Sequence, residues 1–219
     1  MIRLAVFDCD GTLVDSQHVI FEAMRRTLSE AGHAPPPLDA VRRIIGLSLV
    51  EAVAALLPEQ AHQDHVALAA AYRHHFRMLR SETGVREPLF PEVRDTLLAL
   101  DRRDVLLAIA TGKSRRGVDQ VLAHHGLDGL FISLQTADDN PSKPHPAMLE
   151  RAMSEAGSRP EETVFVGDTT FDMIMARAAG ARGVGVAHGY HAPSELLAAG
   201  AERVLDRFGE LEALGGLPA

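Results

Sequence analysis

The feature that most constrains the fold of this chain is residues 4–16, with the sequence LAVFDCDGTLVDS. It opens with four consecutive apolar residues, which is typical of one short strand buried on both faces. Asp8 and Asp10 follow directly, and two carboxylates so close together at the end of a buried strand repel each other. A nearby cation or protonation of one carboxylate would relieve this repulsion, while Gly11 lets the backbone turn sharply. The stretch therefore predicts a buried strand that ends at a site for a hard divalent cation.

Composition excludes several classes of function. The chain has 219 residues, 46% of them hydrophobic and 24% charged, which are ordinary values for a globular protein. A net charge of -8 argues against a nucleic-acid partner or an anionic membrane surface, but not against a small phosphorylated metabolite. The single cysteine, Cys9, excludes an intramolecular disulfide. With neither a signal-peptide pattern nor a membrane-spanning run, we expect a cytoplasmic monomer or homodimer.

The residues that follow this stretch, from about 17 to 80, have a helical pattern. Apolar residues recur at helical spacing, and no strand is predicted between residues 15 and 81. The predicted helices are about 17–31, 38–45, 49–57 and 59–80. This pattern indicates an all-helical cap domain, residues 16–85, inserted into a core of residues 1–15 and 86–219. The pattern changes at residues 15–17 and 81–88, and these two segments, the second with Gly84, are the predicted hinge.

From residue 88 onward, short apolar runs alternate with helical patterns. The predicted strands are 105–110, 130–133, 163–166, 184–187 and 203–205, with helices at 91–100, 114–125, 146–156 and 171–179. Such alternation predicts an α/β fold with a Rossmann-like parallel sheet covered on both faces. In such a sheet the carboxyl ends of the strands meet at one edge, where ligands bind. Asp8, Thr111 and Asp168 each follow a predicted strand and should therefore converge there.

Four motifs resemble those of the haloacid dehalogenase superfamily. The first is Asp8-x-Asp10-Gly11-Thr12-Leu13-x-Asp15-Ser16, the second is Thr111-Gly112-Lys113, the third is Lys143-Pro144, and the fourth is Gly167-Asp168-x-x-x-Asp172. Most members of this superfamily are Mg²⁺-dependent phosphatases that act through an aspartyl-phosphate. The resemblance covers essentially the whole chain, including the inserted cap.

The resemblance assigns a role to each of these motifs. It implies that Asp8 is the nucleophile and that Asp10 is the general acid and then the base. Thr111, with Gly112 and Lys143, would bind the phosphate. Mg²⁺ would be held by the Asp8 carboxylate, the main-chain carbonyl of Asp10, and Asp168. Asp172 would lie behind these ligands and hold Lys143 or a metal-bound water.

Simpler interpretations exist for several of these residues. Thr111 or Ser114 could cap a helix, and Asp172 could be an acidic residue placed for a helix dipole. Lys113, like Arg115 and Arg116, fits either an anion-binding role or a solvated basic helix start.

The cap contains one further candidate, a glycine-containing turn between two predicted helices. It resembles the specificity loop of the phosphoglycolate phosphatase and β-phosphoglucomutase branch, with Arg43, Gly46, Leu47 and Ser48 as possible substrate-reading residues. A plain helix-helix turn with surface charge is the alternative. The resemblance implies a phosphatase for a small phosphate monoester, with phosphoglycolate as the leading candidate. A phosphomutase of the β-phosphoglucomutase type, or a pyrophosphatase or sugar phosphatase of the same superfamily, is the alternative.

Overall fold

The centre of the protein is a six-stranded parallel sheet, seen in a computed structural model that describes residues 1–83 and 87–218. The strands are β1 Leu4–Phe7, β2 Leu106–Thr111, β3 Ser133–Thr136, β4 Thr163–Gly167, β5 Arg182–Val186 and β6 Arg203–Leu205. Their order across the sheet is β3-β2-β1-β4-β5-β6, and every neighbouring pair is parallel. The predicted Rossmann-like α/β core is confirmed, and the chain's first strand lies near the middle of the sheet.

Nine α-helices are assigned within the described residues. They are α1 Gln17–Glu30, α2 Leu38–Arg42, α3 Leu49–Leu56, α4 His62–Thr83, α5 Val93–Asp101, α6 Arg115–His125, α7 Ala147–Ala156, α8 Thr170–Ala178 and α9 Pro193–Ala199. Helices α5 to α9 contact the sheet or one another, so they form the outer layers of the core. No helix in this part of the chain combines the length and apolar character that a membrane span requires.

The alternation of side chains along β1 explains why its apolar run is continuous. Ala5 and Phe7 belong to the hydrophobic cluster on one face of the sheet, whereas Leu4 and Val6 belong to the cluster on the other face. All four residues are fully buried. A strand whose two faces are both covered by helices needs apolar residues at every position, as the sequence predicts.

Helices α1 to α4 form the block that the sequence predicts as a cap. Their buried side chains make a hydrophobic cluster of their own, which includes Met24, Val41, Val53 and Tyr72. The two chain segments that connect this block to the core run side by side. The Asp15 N–H in the first segment donates to the Pro88 carbonyl in the second at 2.9 Å. This placement supports the proposed division into residues 16–85 and the remainder. Gly84, in the predicted hinge, lies outside the described residues.

Two local predictions were wrong. The strand predicted at 130–133 is found at Ser133–Thr136, because the apolar Leu130 and Phe131 pack against the core from a turn. Strand β3 is an edge strand and pairs on one side only, so its sequence SLQT can be polar. The second error is the helix α9, which the sequence analysis left unassigned.

Candidate active site

A buried lysine lies between two buried carboxylates at the carboxyl edge of the sheet. Lys143 Nζ is 3.0 Å from Asp8 Oδ1 and donates to Asp172 Oδ1 at 2.7 Å, and the three side chains are at most 1% exposed. Burial lowers the pKa of Lys143, but Asp172 and Asp8 outweigh burial and the net shift is upward. Lys143 is therefore held as an ammonium ion within contact distance of the Asp8 carboxylate.

Asp8 combines burial with one oxygen that has no partner. Its Oδ1 accepts the Cys9 N–H at 2.7 Å, whereas the buried Oδ2 has no hydrogen-bond partner among the described residues. Burial raises the pKa of Asp8 from its ordinary 3.8 to about 6, against the opposing effect of Lys143 and the Thr111 hydroxyl. A buried carboxylate oxygen without a partner is costly, so its presence at a strand end indicates a functional site.

Asp168 follows β4 and lies next to the first motif. Its Oδ1 accepts the Thr12 hydroxyl at 2.7 Å, and its Oδ2 accepts the Tyr190 N–H at 3.0 Å. Burial raises the pKa of Asp168 well above its ordinary value, and the neighbouring Asp172 and Asp8 raise it further. Gly11 is required by this packing, because a Cβ there would lie 2.3 Å from Asp168 Oδ2 and its φ is +89°.

These carboxylates fit a hard divalent cation. Asp8, Asp168 and Asp172 each place one oxygen within 4.8 Å of the other two. Asp172 already accepts from Lys143 through Oδ1 and from Thr169 through Oδ2, whereas Asp8 Oδ2 is free. Three buried acids with one buried lysine also leave an excess of negative charge that a cation would neutralise. The donor set is therefore suited to a hard divalent cation, with Asp8 and Asp168 the carboxylates best placed to bind it.

Asp10 is fixed by two donors on one of its oxygens. Its Oδ1 accepts from the Ser16 hydroxyl at 2.6 Å and from Lys113 Nζ at 2.7 Å. Lys113 also donates to Glu87 Oε1 at 2.7 Å, and its side chain is only 7% exposed. Within the described part of the chain, Asp10 Oδ2 has no hydrogen-bond partner, so it is available to exchange a proton with a ligand.

Lys113 and Glu87 show what sequence reasoning missed. Neither alternative considered for Lys113 describes it, since it is buried in an ion pair with Asp10 and Glu87. Burial lowers its pKa, but the two carboxylates reverse the direction and raise it well above the ordinary value. The sequence did not identify Glu87 as a site residue, because a single acidic residue beside a proline in a connecting segment is typical of a solvated loop.

The second motif lies directly beneath the glycine-containing turn of the cap, which includes Gly46, Leu47 and Ser48 and is called the cap turn below. Thr111 ends β2 and is 1% exposed, and Gly112 follows it. A Cβ at Gly112 would lie 2.5 Å from the Leu47 carbonyl oxygen and 2.7 Å from that of Gly46. The Ser48 N–H donates to the Ser142 hydroxyl at 2.8 Å, next to Lys143 in the chain. The cap turn therefore packs against the second motif at Gly112 and bonds to Ser142, the residue before the third motif.

The structure separates Arg43 from the other candidate residues of the cap turn. Gly46, Leu47 and Ser48 line a cavity between cap and core that also contains Asp8 and Asp10. The Arg43 side chain is 63% exposed and forms an ion pair with Glu195 at 2.5 Å, away from that cavity. The sequence analysis treated these four residues alike, because the orientation of side chains around a turn cannot be read from spacing alone.

Comparison with known proteins agrees with this geometry. Residues 5–186 match the family model for haloacid dehalogenase-like hydrolases. The chain is 36% identical to a phosphoglycolate phosphatase from Pseudomonas putida over 86% of this chain and 71% of that protein. It is 30% identical to the pyrophosphatase PpaX from Bacillus pumilus over 98% and 97%. A hydrolase from Pseudomonas syringae superimposes with a TM-score of 0.85, 27% identity and 96% coverage of each chain.

The family match spans five of the six strands, the cap and all four motifs. Its 5–186 range begins within β1 and ends at the last residue of β5, so it includes Asp8, Asp10, Thr111, Lys143, Asp168 and Asp172. The chain therefore belongs to the haloacid dehalogenase-like hydrolase family, as a hydrolase similar to the phosphoglycolate phosphatases.

Proposed function

We propose that this protein is a Mg²⁺-dependent phosphatase that hydrolyses a small phosphate monoester through an aspartyl-phosphate on Asp8. The observation that supports this most directly is the buried, unpartnered Oδ2 of Asp8, 1% exposed at the end of β1. Phosphoglycolate is the leading candidate substrate, because the chain is similar to phosphoglycolate phosphatases over most of its length.

In the first step, a carboxylate oxygen of Asp8 attacks phosphorus and the bond from phosphorus to the leaving oxygen breaks. Lys143 is within contact distance of Asp8 and neutralises charge on the phosphoryl group, while Thr111 and the N–H groups at Gly112 bind its oxygens. Mg²⁺, held by Asp8, Asp168 and the Asp10 carbonyl, would supply further neutralisation of the phosphoryl oxygens.

Asp10 completes the proton balance of both steps. It gives a proton to the leaving oxygen as that oxygen departs from phosphorus, and it becomes a carboxylate. It then takes a proton from the water that attacks the aspartyl-phosphate, so that phosphate leaves and Asp8 is regenerated. Ser16 and Lys113 hold Oδ1, which keeps Oδ2 oriented for both transfers.

A phosphate-release screen tests the proposal. The purified protein is assayed with phosphoglycolate, sugar phosphates, nucleotides, pyrophosphate and acetyl phosphate, in Mg²⁺ or in excess EDTA. We expect Mg²⁺-dependent release of phosphate from at least one ester, and trapping of phosphate on Asp8 in acid-quenched protein. Full activity in EDTA, or an enzyme that remains active as Asp8→Asn, would contradict the proposed chemistry.

The same screen separates a phosphatase from a phosphomutase. A mutase keeps the phosphoryl group on Asp8 until a second sugar hydroxyl accepts it, so little inorganic phosphate accumulates from a sugar phosphate. Phosphate release that equals substrate loss supports a phosphatase, whereas an isomeric sugar phosphate formed without phosphate release supports a mutase.

A further inference from the structure

The cavity between cap and core is large for a two-carbon substrate. Its volume is about 1110 Å³, and it extends from Asp8 and Asp10 to the outer parts of α4 and α6. Pockets for drug-sized ligands span roughly 300–1000 Å³. Phosphoglycolate would therefore leave most of the cavity filled with water, and the cavity volume favours a bulkier leaving group.

One wall of this cavity is apolar. It is made by cap side chains from three helices and the cap turn, among them Ile20, Met24, Ile45, Leu47, Leu49 and Tyr72. All six belong to the hydrophobic cluster of the cap or pack against it, so the wall is part of a packed core rather than a set of mobile surface groups. A wall of this kind releases water when an apolar group covers it, but gains little from a polar one.

The outer part of the cavity is cationic. Arg73 and Arg77, one turn apart on α4, and Arg116 on α6 line it, and all three are exposed residues. Within the described residues, the side chains of these three arginines make no ion pair. Arg80, by contrast, is 3.2 Å from Glu87, and Lys113 is paired with Asp10 and Glu87. Three guanidinium groups that face one cavity from two domains favour an anionic group on the ligand.

Resting on the phosphatase function proposed above, we propose that the physiological substrate is a phosphate monoester whose leaving group has an apolar, ring-sized body and a terminal anionic group. The phosphoryl group binds at Asp8 and Lys143, and the apolar body lies against the cap wall. The terminal anion reaches the arginines of α4 and α6.

Two synthetic esters test this proposal, because they differ only at the far end of the leaving group. These are 4-ethylphenyl phosphate and 4-(carboxymethyl)phenyl phosphate, whose phenols have similar acidity, and phosphoglycolate is assayed beside them. We expect kcat/KM for the carboxymethyl ester to exceed that for the ethyl ester by at least about tenfold, and both to exceed that for phosphoglycolate.

Substitution of the arginines identifies the source of this preference. The double variant Arg73→Gln/Arg77→Gln is expected to reduce the ratio of kcat/KM for the two aromatic esters to within about twofold of one. Arg102→Gln, at an exposed arginine after α5 and away from the cavity, is the matched control and should keep the wild-type ratio. Melting temperatures of the variants confirm that each is folded.

The outcomes separate this inference from the proposed function. Efficient hydrolysis of phosphoglycolate with weak activity on both aromatic esters would overturn the inference while leaving the phosphatase function intact. A ratio that is unchanged in the double variant would overturn the role of the arginines. Failure to hydrolyse any ester in Mg²⁺ would instead contradict the proposed function itself.

Discussion

At the scale of single residues, the site is governed by an imbalance of buried charge. Asp8, Asp168 and Asp172 are at most 1% exposed, and one buried ammonium, that of Lys143, lies against two of them. Burial, together with the charges of the neighbouring carboxylates, raises the pKa values of Asp8 and Asp168 although cations and hydrogen-bond donors are close by. The arrangement suits catalysis and opposes stability when no metal is bound.

Substitution of Asp8, the proposed nucleophile, should therefore have opposite effects on activity and stability. We expect Asp8→Asn to abolish turnover and to stabilise the metal-free protein at pH 8. The sign follows from the pKa of Asp8, which is raised from 3.8 to about 6. The folded wild type holds this proton more tightly than the unfolded chain, so it loses stability as the pH rises through that interval.

The measurement is urea unfolding in EDTA at pH 8 and at pH 4.5, for wild type and Asp8→Asn. The variant should have the higher midpoint at pH 8, and the difference should shrink at pH 4.5, where Asp8 is protonated. Residual activity within about tenfold of wild type, which is a barrier change of only about 1.4 kcal/mol, would contradict the assignment of Asp8.

Removal of the Lys143 ammonium, which lies between Asp8 and Asp172, should destabilise the protein. Lys143→Met leaves Asp8 and Asp172 buried without their ammonium partner, and breaking a buried ion pair costs about 3–5 kcal/mol. Unfolding free energies measured in urea give this value. In the double variant Lys143→Met/Asp172→Asn the loss should be smaller than the sum of the two single losses. Strict additivity would mean that the two side chains do not interact.

At the scale of elements, the most informative contact is the packing of the cap turn against Gly112 of the second motif. Gly112→Ala would place a Cβ 2.5 Å from the Leu47 carbonyl, so the turn must move away from the phosphate-binding residues. We expect kcat/KM to fall by at least about tenfold, with little change in melting temperature. Gly215→Ala is the matched control, because its added Cβ would have no atom within 4 Å from the described residues beyond its two chain neighbours. Wild-type kinetics in Gly112→Ala would show that the turn does not need this position.

The elements also show how far sequence reasoning extends. The apolar runs of β1, β2 and β4 were found because both faces of these strands are covered, and the convergence of Asp8, Thr111 and Asp168 follows from strand ends that share one edge. Strand β3 was misplaced, because an edge strand lacks that apolar constraint. The pairing of Lys113 with Glu87 was missed, since it joins residues 26 apart through the fold rather than through any local pattern.

At the scale of the whole molecule, metal binding should appear as a gain in stability. A ligand present at 100 times its Kd stabilises the folded state by about 2.7 kcal/mol. For a chain of this size that corresponds to a rise in melting temperature of about 5–10 °C. We expect Mg²⁺ to produce such a rise over EDTA-treated wild type, and Asp168→Asn to remove most of it. An equal rise in the variant would place the metal elsewhere.

The position of β1 in the sheet has a consequence for the order of folding during synthesis. This strand is synthesised before both of its neighbours in the sheet, which begin only at Leu106 and Thr163. The buried side chains of the cap cluster all come from residues 19–79, so the cap can pack before either neighbour exists. The nascent chain must therefore carry an unpaired apolar strand beside a finished helical domain. Asp8, the proposed nucleophile, is consequently made well before the strands that complete its surroundings.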